Sequence, residues 1–88
     1  MPSCFYILRL ESGRLYCGAT KDIKRRVREH FEGIGCRTTK GDPPVELVYF
    51  ETFDSYSDAC KREAQVKRWP KKKKELLLSG DIFHRPVK

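Results

Sequence analysis

Two short β-prone runs, Phe5-Tyr6-Ile7-Leu8 and Leu15-Tyr16-Cys17, flank Glu11-Ser12-Gly13-Arg14, whose Ser-Gly pair reads as a turn. The chain is therefore expected to begin as a β-hairpin, and everything after it must pack on that hairpin. The ten residues between Tyr6 and Tyr16 do not decide whether the two side chains share a face, because in a hairpin the turn sets which residues oppose each other. As strand aromatics the two tyrosines are ordinary, since aromatic residues are common in sheets. As a pair followed ten residues later by Arg26, they form a set able to handle phosphate chemistry. Both readings stand at this point.

Downstream, Asp22 is placed to cap a helix whose apolar stripe is Ile23, Val27, Phe31 and Ile34, with Gly33 and Gly35 ending it. Residues 35–44 hold two glycines and the pair Pro43-Pro44, so an exposed loop is expected. Within it Arg37, Thr38, Thr39 and Lys40 are either a phosphate-contacting segment or an ordinary polar connection. Val45–Phe53 reads as a third strand, and its near-continuous apolar middle suggests a central position covered on both faces by helices. A second helix capped by Ser57 is expected to run to about Trp69, where Pro70 forbids continuation and favours a new first turn. The third helix carries Leu76, Leu77 and Leu78 and closes at Gly80. The expected fold is α+β: a small three-stranded antiparallel sheet flanked by helices, in the order strand, strand, helix, strand, helix, helix. One domain spans residues 1–80, and a tail of residues 81–88 either packs Ile82 and Phe83 or frays; His84 within it receives no role.

Eighty-eight residues suffice for one modest core. Nineteen Lys and Arg against twelve acidic residues give a net charge of +7, which favours a polyanionic partner, DNA above all. Lys21, Lys24, Arg25, Arg26 and Arg28 crowd the first helix, and Lys71–Lys74 form an unbroken run that is either a solvated face or part of a nucleic-acid surface. No apolar run approaches the roughly 18 residues of a membrane span, and the N-terminus lacks the basic and apolar regions of a signal peptide. The four cysteines, at 4, 17, 36 and 60, have none of the close pairing of a zinc site. Reduced buried thiols and a cytoplasmic protein are expected.

Placing the second helix at about 100° per residue puts Glu63 near the middle of an arc made by Ala59, Cys60 and Val66, with Lys67 one turn further on. Arg62, Gln65 and Arg68 form the opposite, polar face. A carboxylate turned inward costs several kcal/mol unless it is paired or holds a cation. Two readings of Glu63 follow: an i to i+4 salt bridge with Lys67, or the single carboxylate ligand of a divalent ion such as Mg²⁺. On the first helix Arg26 and His30 lie one turn apart on one edge of the stripe, bordering a cleft, while Arg25, Arg28 and Glu29 point away.

The segments Cys4-Phe5-Tyr6 and Tyr16-Cys17-Gly18, with Arg26, His30 and Glu63 beyond them, resemble the GIY-YIG nuclease family. In that family two short motifs sit on the first two strands, an arginine and often a histidine follow on the next helix, and a glutamate comes on a later helix. Cys4 replaces the first glycine and Cys17 the middle isoleucine of the two motifs, whereas both tyrosines and Gly18 stand in place. The likeness runs from about Cys4 through Leu78, and the segment Glu63–Trp69 with its following lysine-rich helix looks like the small stand-alone bacterial members. These are similar to the N-terminal nuclease domain of the excision-repair incision subunit.

The resemblance implies a metal-dependent DNA endonuclease with Mg²⁺ or Mn²⁺ on Glu63, and because 88 residues provide little surface for reading a long base sequence, branched or single-stranded structures are the expected substrates. Arg26 would contact the phosphate, and Tyr6, Tyr16 and His30 would complete the catalytic set. The choice between Tyr6 and His30 as general base stays open. Lys24, Arg25, Arg37, Lys40, Lys67, Lys71 and Lys72 are the expected DNA contacts. Two departures matter: the chain contains no asparagine, which many members place beyond the glutamate, and Ala19 stands where some relatives carry a lysine. They keep alive a second reading, a nucleic-acid-binding module with weak or lost catalysis acting with a protein partner.

Overall fold

The computed structural model describes residues 2–34 and 36–79. The elements run β1 (Ser3–Leu10), β2 (Leu15–Thr20), α1 (Ile23–Phe31), α2 (Arg37–Gly41), β3 (Pro44–Phe53), α3 (Tyr56–Lys67) and α4 (Lys71–Ser79). This is the expected α+β order with one short helix, α2, in the segment expected as a loop. The hairpin turns where the Ser-Gly pair demands it. Gly13 takes a φ of +95°, open to glycine without steric cost, and its N–H donates to the Leu10 carbonyl at 2.8 Å.

The sheet order is β2-β1-β3, antiparallel throughout. This corrects the expected place of the third strand. β1 is the central strand, and its residues from Cys4 to Leu8 are at most 3% exposed. β3 lies at an edge, with Val45, Leu47 and Phe50 exposed to solvent. An apolar run alone does not separate a doubly covered strand from an edge strand. What decides is that β1 accepts both neighbours, while register shifts between Ile7 and Leu8 and between Arg9 and Leu10 disturb its pairing with β3.

Alternation along β1 divides the core in two. Phe5 and Ile7 pack with Cys17, Val66 of α3 and Leu77 of α4, whereas Tyr6, Leu8 and Leu10 face Ile23 and Val27 of α1. Asp22 caps α1 as expected, accepting from the Arg25 N–H at 3.1 Å, and Gly33 at φ +83° follows the helix end. The far half of the expected stripe does not hold: Phe31 and Ile34 are exposed, and His30 is buried in their stead. The helix ends at Phe31 with Glu32 as its C-cap, so Ile34 lies beyond the helical register.

α3 is capped by Ser55, not Ser57. The Ser55 hydroxyl accepts from the Asp58 N–H at 3.1 Å, and Ser57 falls inside the first turn. Pro70 restarts the chain as expected, its carbonyl accepting from the N–H groups of Lys73 and Lys74 at 3.0 and 3.2 Å. α4 is held by Leu77 and by Arg9, whose guanidinium meets both Glu75 oxygens at 3.0 and 2.9 Å. Gly35, Gly80 and the tail 81–88, including Ile82, Phe83 and His84, lie outside the described residues.

Arg62 is not on a solvated face. Its side chain is 13% exposed and folds onto Glu51 of β3, with Nε to Oε1 at 3.1 Å and Nη2 to Oε2 at 3.2 Å. Tyr49 also donates to Glu51 Oε2. A carboxylate on the covered face of β3 needs such a partner, because desolvating it alone costs several kcal/mol. The four thiols are free; Cys4 and Cys17 are buried as expected, whereas Cys36 and Cys60 are partly exposed. No described helix is long and apolar enough to cross a membrane.

Candidate active site

Cross-strand register answers the facing question that the hairpin left open. Tyr6 pairs with Gly18 and Leu8 with Tyr16, so Tyr16 sits diagonally beside Tyr6 on the α1 face, ring centroids 6.4 Å apart. Gly18 makes room for this: a Cβ there would lie 2.5 Å from Tyr6 Cζ, so the tyrosine ring fills the space a side chain would need. α1 adds His30, whose ring centroid is 5.8 Å from that of Tyr6 and 5.1 Å from that of Tyr16.

His30 does not border a cleft, as its place on the helix suggested; it is fully buried, as are Tyr6 and Thr39. The three form a chain. Tyr6 Oη lies 2.8 Å from His30 Nε2, and His30 Nδ1 lies 2.9 Å from Thr39 Oγ1. The Thr39 hydroxyl donates to the Cys36 carbonyl at 3.4 Å, which can only accept. That assigns the imidazole proton to Nδ1 and leaves Nε2 as the acceptor of the Tyr6 hydroxyl. Burial, reinforced by the Arg26 charge, pushes the His30 pKa down to about 4, so the ring is neutral at physiological pH. Burial pushes Tyr6 up to about 12, although the Arg26 guanidinium facing its hydroxyl favours the phenolate. Tyr16 is also raised by burial, and its hydroxyl faces Cys36.

Arg26 is part exposed and braced by Glu29 at 3.0 Å. Glu29 was expected to point away; instead it gathers both Arg26 and Arg25, the latter at 3.4 Å. From the other side of the sheet edge, Glu63 of α3 acts electrostatically on Tyr6, Cys17 and Tyr56. Its side chain is 24% exposed, and one oxygen, Oε2, takes Lys67 Nζ at 3.1 Å. The i to i+4 pair is thus formed, but Lys67 is 61% exposed and does not seal the carboxylate. Tyr6, Tyr16, Arg26, His30 and Glu63 come together, with Tyr6 and His30 buried and Tyr16, Arg26 and Glu63 part exposed.

The expected DNA contacts divide. Arg25 lines a recess of about 610 Å³ with Ala19, Lys21, Asp22, Arg26 and Tyr56, and Lys67 adjoins Glu63. Lys24 is exposed on the first turn of α1. Arg37 and Lys40 line a separate hollow of about 280 Å³ with Ile34 and Cys36. Lys71 and Lys72 are exposed on α4, where Lys71 reaches Gly13 at the hairpin end of the sheet. Sequence reasoning placed Thr39 in a polar loop, Cys36 among the reduced thiols and Glu29 away from the site, and it missed Tyr56 altogether. For Tyr56 a signal existed: it precedes Glu63 by seven residues, two helical turns on one face, once the helix is started at Ser55 instead of Ser57.

A three-stranded α+β sheet that gathers two tyrosines, a neutral histidine, an arginine and a reachable carboxylate has the makeup of a small catalytic domain. The chain belongs to the GIY-YIG catalytic domain family, whose model matches residues 2–75. It is 46% identical over 82 residues to a UPF0213 protein of Haloquadratum walsbyi, covering 92% of each chain. A UPF0213 protein of Staphylococcus saprophyticus is 45% identical over 74 residues, covering 84% of this chain and 90% of that one. The solution structure of a UPF0213 protein of Bacillus halodurans superposes with a TM-score of 0.58 at 38% identity, covering 90% of this chain and 84% of the other. That of a protein of E. faecalis gives 0.63 at 31% identity, covering 100% and 94%.

Proposed function

We propose that this chain is a DNA endonuclease that hydrolyses phosphodiester bonds with the help of a divalent metal ion. The observation that carries the reading is the hydrogen-bonded chain from Tyr6 through neutral His30 to Thr39, set beside Arg26 and Glu63.

Hydrolysis requires a group to take the proton of the attacking water and positive charge for the phosphate. His30 and Tyr6 are both buried, but the Tyr6 hydroxyl faces the part-exposed Arg26, so of the two Tyr6 lies nearer a phosphate bound there and His30 is the relay behind it. Tyr6 passes its hydroxyl proton to His30 Nε2 while its oxygen takes one from the water. The water oxygen bonds to phosphorus, and the bond to the leaving oxygen breaks, its electron pair staying on that oxygen, which is protonated by solvent. In the free protein Tyr6 holds its proton far more tightly than His30 would, at about 12 against about 4. Burial is the larger part of what disfavours imidazolium, and a phosphate on Arg26 cancels the smaller part, the guanidinium charge, which eases the transfer by that amount. Thr39 Oγ1 stays in place to accept the hydrogen bond from the Nδ1–H of the imidazolium.

Glu63 suits Mg²⁺ or Mn²⁺. Its carboxylate is reachable, and among the described residues its hydrogen bonding is confined to Oε2. Such ions take one or two carboxylates and leave the remaining positions to water and phosphate oxygens. Among the described residues no group of three His, Cys, Asp or Glu side chains is gathered for an all-protein cage. Bound there, the ion supplies charge that neutralises the phosphate and the leaving oxygen.

The test is cleavage of labelled single-stranded, duplex, flapped and four-way-junction DNA with Mg²⁺, Mn²⁺ or EDTA, comparing the native chain with Glu63→Ala. Cutting that needs metal and disappears in Glu63→Ala is expected. Salt-sensitive binding without cutting under either metal would favour a binding module instead.

A further inference from the structure

The recess beside Arg26 has a feature that the hydrolytic chemistry does not use. Tyr56, the first residue of α3, is 42% exposed and forms one wall of the recess. A large aromatic at a helix start has no packing reason to remain open. Lys21 Nζ stands over the ring, 5.3 Å from its centroid. Arg25 and Arg26 line the same recess. One exposed aromatic face ringed by three cations is the arrangement by which proteins hold a base and its backbone together.

Position adds a second argument. Tyr56 and Glu63 lie on one face of α3 two turns apart, about 10 Å along the axis at about 1.5 Å per residue. A nucleotide resting on Tyr56 therefore flanks the phosphate held between Arg26 and Glu63. A recess of about 610 Å³ has the size of a small-molecule site. A base inside an intact duplex offers only its edge, because its faces are stacked on its neighbours. A base must be unpaired and unstacked to lie on an aromatic ring.

We propose that the recess between the end of β2, the first turn of α1 and the start of α3 binds an unpaired nucleotide flanking the cleavage point. Its base stacks on Tyr56, and its backbone is held by Lys21 and Arg25. The substrates are then DNA structures with an exposed single strand, such as flaps and junction arms. This selectivity rests on the nuclease reading, whereas the stacking contact does not need catalysis and is measurable without it.

The test uses the full chain in EDTA at low salt, with a single-stranded oligonucleotide carrying 2-aminopurine and the matching fully paired duplex. Binding is followed by anisotropy and by 2-aminopurine fluorescence for the native chain, Tyr56→Ala and Tyr56→Phe. Tyr56→Ala is expected to weaken single-strand binding about tenfold, with less than a twofold change for duplex, and Tyr56→Phe to restore it. Quenching of 2-aminopurine by the native chain should vanish in Tyr56→Ala. Unchanged single-strand binding, or an equal loss on both DNAs, overturns the inference. Circular dichroism of each variant excludes a folding defect, which an exposed position makes avoidable. Separately, Tyr56-dependent binding with no cutting in Mg²⁺ removes the nuclease reading and leaves this site standing. Cutting with a silent Tyr56→Ala does the reverse.

Discussion

Two buried tyrosine clusters lie back to back across the sheet, and they are built on opposite principles. Under α1, Tyr6, His30 and Thr39 form a neutral chain in which the imidazole accepts at one nitrogen and donates at the other. Under α3, Tyr49 and Arg62 close on the Glu51 carboxylate in an ion pair. A neutral hydrogen-bonded chain contributes about 1 kcal/mol per bond and can reverse its polarity by moving protons. An ion pair held out of water cannot reverse, and each charge is costly without the other. Arg62 directly precedes Glu63, so the ion pair adds to the fully buried Ala59 and Val66 in holding α3 at its rotation. One cluster holds the scaffold while the other is left free to carry a proton.

The largest expected difference between the clusters is in rate. Tyr6→Phe removes the proton-transferring oxygen and should lower single-turnover DNA cleavage by about 10² to 10⁴-fold, while costing about 1 kcal/mol of stability. Tyr49→Phe should leave cleavage within about twofold. If Tyr6→Phe cuts like the native chain, the tyrosine has no part in the chemistry and the comparison loses its functional half. In stability the order reverses. Glu51→Ala leaves Arg62 buried without its carboxylate and should cost about 3 to 5 kcal/mol in urea unfolding. A loss below about 1 kcal/mol would mean that Arg62 swings out to water and that the pin on α3 is slight.

The sequence made the local features legible, because local chemistry decides them. Gly13 at the turn, Asp22 as a cap and Pro70 as a break each act within a few residues. Strand order was not legible, since the apolar middle of β3 looks as buried as β1 until the sheet is assembled. Ser55 and Ser57 offer the same capping hydroxyl two residues apart, and placing the cap at the second hid Tyr56 before the helix. Arg62 reads as surface because its partner, Glu51, is on another element. The tyrosines, Arg26, His30 and Glu63 could be picked out from their spacing and family likeness. The depth of His30 was within reach of the periodicity, since it follows Ile23 by seven residues and Val27 by three and so shares their buried face, but drawing the stripe through Phe31 and Ile34 put it at the edge.

That depth gives the smallest of the three effects, and it shows in acid. The folded-state pKa of His30 is about 4, against 6.5 for an ordinary histidine. Between those values the unfolded chain binds a proton that the folded chain refuses, so stability falls as pH drops through this window. Above pH 6.5 the contribution is complete; by pH 4 it has largely gone, a change of up to about 3 kcal/mol. Urea midpoints from pH 7 to pH 4 should therefore fall more steeply for the native chain than for His30→Phe, with acid effects common to both cancelling in the difference. Parallel slopes would mean that His30 titrates like a solvated histidine and that the chain behind Tyr6 is open to water. A steeper native slope would mean that the folded chain holds His30 neutral, first by burial and then by the Arg26 charge, and only the second of these is open to a phosphate bound on Arg26.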